Sequence, residues 1–373
     1  MTTRSSLTRR QLLSWAGCGS LASLAGCAGV LSSDPVSITW EESIDDSRYA
    51  LTVADGTAYV GTVWGLTTID TESGETTGRN PAQAEVYGRP VVNDGIAYYG
   101  TLDGTIYAAD ETADERWRTE VPGSVVSCAV GDGRVYAATG IDGTHRLYAL
   151  AVDSGDVIWE NGLDAFPITS APVFHDGHLL IQSGGVASFE PADGALRWRY
   201  EVDTDGSPVH APTTIPATGG RFIYASFEEN PGLLAVDIET GDRVWDVSSI
   251  AFASPVAHDG VVYVGAVSPE SITGSRDEKF YAYDGSDGTQ LWSNAIGQAA
   301  SFGPVLQDDV VYATAGRSHD TLYALETTSG ETMWEYEFET QSISQPIAAD
   351  GSLYVVANDH ETESLLKLAV SGS

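Results

Sequence analysis

"RLYALAVDSGDVIW" runs from Arg146 to Trp159, and "TLYALETTSGETMW" runs from Thr321 to Trp334. One sentence written twice, both times closing on tryptophan, marks the chain as a repeat before any local motif is read. Working outward, a turn followed by an apolar strand occurs eight times. It reads "ADGTAYVG" from Ala54, "NDGIAYYG" from Asn93, "GDGRVYAA" from Gly131 and "HDGHLLIQ" from His175. It continues as "GGRFIYAS" from Gly219, "HDGVVYVG" from His258, "QDDVVYAT" from Gln307 and "ADGSLYVV" from Ala349. Pro90, Pro172, Pro255, Pro304 and Pro346 each stand five residues before the turn glycine or its equivalent. Pro212 takes that place ahead of a longer turn, and Cys128 takes it in the third unit.

The second landmark is tryptophan, four residues past a second turn: Trp117, Trp159, Trp198, Trp245, Trp292 and Trp334, spaced 42, 39, 47, 47 and 42 residues apart. The first unit has Gly78 at this place, and the last ends at "LLKLAV" before a tryptophan can appear. Trp40, in "SITW", has no unit ahead of it. Alternating apolar residues between Asp-Gly and Ser-Gly turns are short antiparallel strands, about four per unit. An all-strand period of roughly 40 to 50 residues builds radial blades. The expected fold is all-β: an eight-bladed β-propeller of four-stranded antiparallel blades over 37–373, its ring closed by the N-terminal strand carrying Trp40. Each tryptophan is expected to wedge between neighbouring blades, its N–H on a backbone carbonyl.

"LYAL", two or three residues, "SG", three residues and Trp resembles the repeat of the pyrroloquinoline-quinone (PQQ)-type propellers. That family includes the quinoprotein dehydrogenases and the BamB-like outer-membrane assembly lipoproteins. The likeness runs through essentially all of the chain after residue 36. It implies a fold more than an activity, since the tryptophan packing is structural in every relative.

The 373 residues include 53 acids and 18 bases, for a net charge of −35. Phosphate binding runs on Lys and Arg, so nucleic acid is excluded as a partner. A 42% hydrophobic content, with nine Trp and seventeen Tyr, supplies a core and excludes a disordered chain. Only Lys279 and Lys367 are lysines, against sixteen arginines. An acidic, Lys-poor surface resembles the proteins of extremely salt-loving archaea, where strong screening tames carboxylate repulsion.

The first 26 residues read as a lipoprotein signal peptide. "TRRQLL" sets Arg9 and Arg10 before an apolar stretch, similar to a twin-arginine export signal. "LAGC" resembles a lipobox ending on Cys27, and 27–36 would be the lipidated cysteine and a short tether. The expected location is the extracytoplasmic face of the cell membrane, held by lipid. Cys128 is then the one thiol of the folded part, so no disulfide framework exists.

The short Asp-Gly and Ser-Gly turns fall on one face of the ring, and the variable connections fall on the other, where binding is expected. Residues ahead of the strand-A prolines should ring the central funnel: Tyr87, Arg89, Phe166, His210, Phe252, Phe302 and Gln345. Three functions follow. The first is a non-catalytic scaffold for a membrane or cell-surface protein. The second is a solute-binding propeller using the funnel. The third is a PQQ-dependent oxidoreductase, which the resemblance ties to an adjacent cysteine pair, a calcium site and a catalytic Asp. No Cys-Cys pair exists and the asparagines are scattered, so no catalytic residue, PQQ, calcium or other cofactor is expected. His175 and His178 flank a turn that Asp-Gly already explains, and no metal is assigned to them.

Overall fold

In the computed structural model, the described residues are 34–370, apart from 46, 48–49, 83, 141–144, 164–169, 183–184, 203–216, 227–231, 249, 252, 268–277, 297–302, 315–319 and 360–361. Arg9, Arg10, Cys27, Phe166, His210, Phe252 and Phe302 lie outside them.

Eight antiparallel sheets follow one another along the chain, so the eight-bladed propeller expected from the repeat is the fold. Blades 1 to 7 span 50–81, 91–120, 125–162, 173–201, 217–247, 250–294 and 305–337. Blade 8 takes 342–370 from the end of the chain and its outer strand, Val36–Ile44, from the start. That strand runs antiparallel to Glu363–Val370, from Val36 opposite Val370 to Ile44 opposite Glu363. Closure in this way covers the edge that the last strand would otherwise expose.

The Asp-Gly turns earn their place through backbone shape. Asp94 and Gly95 have φ of 50° and 73°, and the pattern repeats at Asp55-Gly56, Asp132-Gly133, Asp176-Gly177, Asp259-Gly260 and Asp350-Gly351. Two successive positive φ values make the tight hairpin turn whose twist matches the strands it joins. In blade 5, Ala217 pairs with Tyr224 and Gly219 with Phe222, so the turn is the ordinary two residues, Gly220 and Arg221. The residue just before Ala217 is Pro216. The proline place in this unit therefore belongs to Pro216 and not to Pro212, and the longer turn read from the sequence is an ordinary one.

Eight hydrophobic clusters occupy the eight joints between neighbouring blades. Six of those joints share one device. The indole N–H of Trp40, Trp117, Trp159, Trp198, Trp245 and Trp292 donates at 2.8–3.0 Å to the carbonyls of Thr71, Val152, Pro191, Ile238, Gly285 and Thr327 in the next blade. Three residues past each acceptor lies a glycine (Gly74, Gly155, Gly194, Gly241, Gly288 or Gly330) directly under the indole. A Cβ on any of them would sit 2.4–2.8 Å from a ring atom. The glycine of one unit and the tryptophan of the unit before it are two halves of one lock.

The joint between blades 1 and 2 lacks both halves. Gly78 stands in the tryptophan place, and Ala113, at φ 60°, stands in the glycine place. A Cβ on Gly78 would lie 1.7 Å from the Thr112 carbonyl oxygen, so here the blades meet backbone to backbone. Tyr99 and Tyr107, stacked 5.1 Å apart, fill the joint's core in place of an indole. Blade 1 is a close-packed variant of the repeat.

Candidate functional site

Proline has no N–H to give to a ladder, so a strand-A proline interrupts the innermost strand. In blade 8, Ser342–Ile343 and Ile347–Ala349 pair separately with Ser352–Asn358, and the break between them holds Gln345 and Pro346. Ser344 spans this break: its Oγ accepts the Val356 N–H. In blade 2, an isolated bridge from Val86 to Thr101 precedes Val91–Asn93, and Tyr87, Arg89 and Pro90 lie in the break. Blade 3 has Cys128 at the proline place, and its inner strand Val125–Gly131 runs through with only a bulge. Burial pushes the Cys128 thiol up to about 12, which leaves it protonated and a poor nucleophile at neutral pH.

Register aligns one position across the inner strands. Ala50, Ser127, Ala171, Ser254 and Gly303 hold the position immediately before the proline or its stand-in, and all five are small. The same position is Arg89 in blade 2 and Gln345 in blade 8. These two reach past blade 1 to each other, Arg89 Nη2 donating to Gln345 Oε1 at 2.7 Å. Gln345 Nε2 lies toward blade 7, 2.9 Å from where a Cβ on Gly303 would be. Burial lowers the Arg89 pKa. Of the seven funnel residues read from the sequence, the structure thus joins Arg89 and Gln345. Tyr87 sits farther out, 42% exposed.

Sequence reasoning missed Trp64, which is 69% exposed in the turn of blade 1 between Thr57–Thr62 and Gly65–Asp70. Its carbonyl accepts the Ala82 N–H, and the Thr62 carbonyl accepts the Val86 N–H. The turn is thereby tied to the segment leading to Tyr87 and Arg89, on the face of the variable connections. The signal was available: Trp64 is the one tryptophan beyond residue 34 that falls out of phase with the repeat.

Two arrangements resemble catalytic or metal sites. His178 Nδ1 lies 2.9 Å from Ser188 Oγ, and its Nε2 lies 3.6 Å from Glu239 Oε1. Burial, and then the Arg197 charge, lowers the His178 pKa. Ser188 is fully buried, so no substrate carbonyl can reach its hydroxyl, and the array serves packing between blades 4 and 5. Asp284, in "DGSDG", accepts the Ser286 N–H and hydroxyl, which closes its own turn. Among the described residues, no three His, Cys, Asp or Glu side chains come together as a metal cluster.

A family model described as outer membrane protein assembly factor BamB matches residues 37–165, 65–274 and 276–370. The matches overlap because a repeat can be aligned to itself in more than one phase. BamB of Yersinia pestis is 26% identical over 231 residues, covering 58% of this chain and 54% of that protein. The chain therefore spans about half the length of the curated relatives it first matches. Among solved structures, BamB from Moraxella catarrhalis superposes with a TM-score of 0.72 at 16% identity, covering 90% of this chain and 99% of that one. Quinohemoprotein alcohol dehydrogenase from Comamonas testosteroni superposes with a TM-score of 0.71 at 14% identity, covering 91% and 77%. At these identities the structural likeness concerns the fold.

Proposed function

The chain belongs to the family of the outer membrane protein assembly factor BamB, and from that premise we propose that it is a non-catalytic interaction scaffold for a membrane or cell-surface protein. The observation that carries this reading is Trp64, a large aromatic exposed on a turn that is hydrogen-bonded to the segment leading to Tyr87. Aromatic anchors of this kind dominate binding energy at protein interfaces, and a fixed backbone lowers the ordering cost of association. Six of the eight joints of the ring are locked by a tryptophan over a glycine, which suits a platform. In a single-membrane organism, which the acidic composition resembles, the adaptor role carries over while an outer membrane does not.

Cross-linking and affinity purification from the protein's own membranes in molar salt, followed by mass spectrometry, tests the reading. One stoichiometric protein partner is expected, and Trp64→Ala or Tyr87→Ala should weaken its capture at least tenfold while leaving the unfolding midpoint unchanged. Recovery of the chain alone, or full capture by both variants, overturns it. Attachment is proposed to run through lipid on Cys27. Cys27→Ser should move the protein from the membrane fraction to the medium, and retention on the membrane would contradict the anchor.

A further inference from the structure

Arg89 differs from the other arginines in what neutralises it. Of the nine other described arginines, eight stand within 4 Å of a carboxylate: Arg79, Arg116, Arg118, Arg146, Arg197, Arg199, Arg221 and Arg243. Arg89, half-buried, has as its partner among the described residues the neutral amide of Gln345. A guanidinium keeps its charge, and removing it from water without a counter-charge is costly. The five other described hub positions are Ala, Ser or Gly. Their side chains are small and bring no charge to the cation.

We infer that the Arg89–Gln345 pair is a carboxylate-binding site at the hub, completed by a ligand from outside the chain. Gln345 Oε1 is occupied by Arg89, so the free face of the amide is its N–H₂ group. That group and the remaining guanidinium N–H donors offer hydrogen bonds to the two oxygens of one planar carboxylate. A single guanidinium balances a single negative charge. The net charge of −35 around it disfavours phosphates and polyanions. The ligand is thus a monocarboxylate, either a small organic acid or the C-terminus of a peptide. Gly303 keeps the Gln345 side chain in place, because any Cβ there would press on Nε2. Tyr87 of the scaffold reading lies in the same break of blade 2, but the carboxylate site does not depend on that reading.

Isothermal titration of the full chain at constant ionic strength, held with sodium chloride, reads the site out. The probes are sodium acetate and the tripeptide Gly-Gly-Ala with a free or an amidated C-terminus. Saturable binding of a free carboxylate is expected, weakened at least tenfold by Arg89→Gln and unchanged by Arg118→Gln on the outer strand of blade 2. Preference for the free tripeptide over acetate, lost on amidation, identifies a peptide terminus. Equal binding of the two identifies a small acid. No saturable binding, or equal binding by Arg89→Gln, overturns the inference. A second measurement needs no ligand: Arg89→Met should leave the melting temperature unchanged or raise it, since it removes a half-buried charge whose partner among the described residues is a neutral amide. A clear fall would show that Arg89 is a structural cation and would also overturn the inference.

Discussion

Removing the strand Val36–Ile44 is expected to abolish the cooperative unfolding transition and leave a chain that self-associates. The strand is the outer strand of blade 8, paired with Glu363–Val370 from end to end with one bulge between Ile38 and Trp40. Its ends are anchored in the core, with Val36 and Ile44 buried in the joints on either side of that blade. Trp40 reaches farther and donates to the Thr71 carbonyl of blade 1, the same oxygen that receives Lys367 Nζ. Just beyond the strand, Glu363 accepts the backbone N–H and hydroxyl of Ser47. Deletion would therefore open the ring, unpair the last strand and bare Leu366 and Leu368 at a free edge. Such an edge is a template for pairing with another chain. Trp40→Ala is the graded version. It removes a half-buried indole and one hydrogen bond and should cost about 2–4 kcal/mol. Denaturant unfolding followed by near-ultraviolet circular dichroism, with size-exclusion chromatography, measures both. A deletion variant with the parent's midpoint and elution volume would show that blade 8 holds without its clasp.

The repeat made the architecture legible because turn chemistry and tryptophan phase are local signals. Asp94-Gly95 states its turn type in two letters, and Trp40 without a unit ahead of it pairs with a last unit that lacks one. Pro212 was misread because the fifth unit carries two prolines, Pro212 and Pro216, and only strand register says which one abuts the ladder. Gly78 was likewise opaque. A glycine in the tryptophan place is compatible with a loose joint or a tight one, and the distance to the Thr112 carbonyl decides for the tight one. The hub was partly legible: register logic placed Arg89 and Gln345 near the axis, but their bond past blade 1 is a long-range contact with no periodic signature. Trp64 has no periodic mark, because it falls out of phase with the tryptophans that lock the joints. The His178–Ser188–Glu239 array shows the converse hazard, since spacing and residue type resemble a triad and only burial disqualifies it.

The same geometry predicts that Gly241→Ala costs far more than Gly177→Ala, although both glycines have nearly equal φ, 73° and 71°. Each substitution forces an alanine into the left-handed region, at about 1–2 kcal/mol. At Gly177 nothing lies within 4 Å of the new methyl, so that conformational term is the whole effect. At Gly241 the methyl would sit 2.5 Å from Trp198 Cε3 and 2.6 Å from Cδ2. The indole must retreat, and its 2.8 Å bond to the Ile238 carbonyl must stretch or break. Overpacking adds about 1–3 kcal/mol, so the total should reach about 2–5 kcal/mol. Because the damage passes through one ring, Trp198→Ala should make Gly241→Ala cheaper, and the double variant should cost less than the sum of the singles by about 1–2 kcal/mol. Chemical unfolding of the four-member cycle, with Gly177→Ala as reference, gives each quantity directly. Strict additivity would mean that glycine recurs under the tryptophans for its backbone freedom only, and the two-part lock would lose its physical basis.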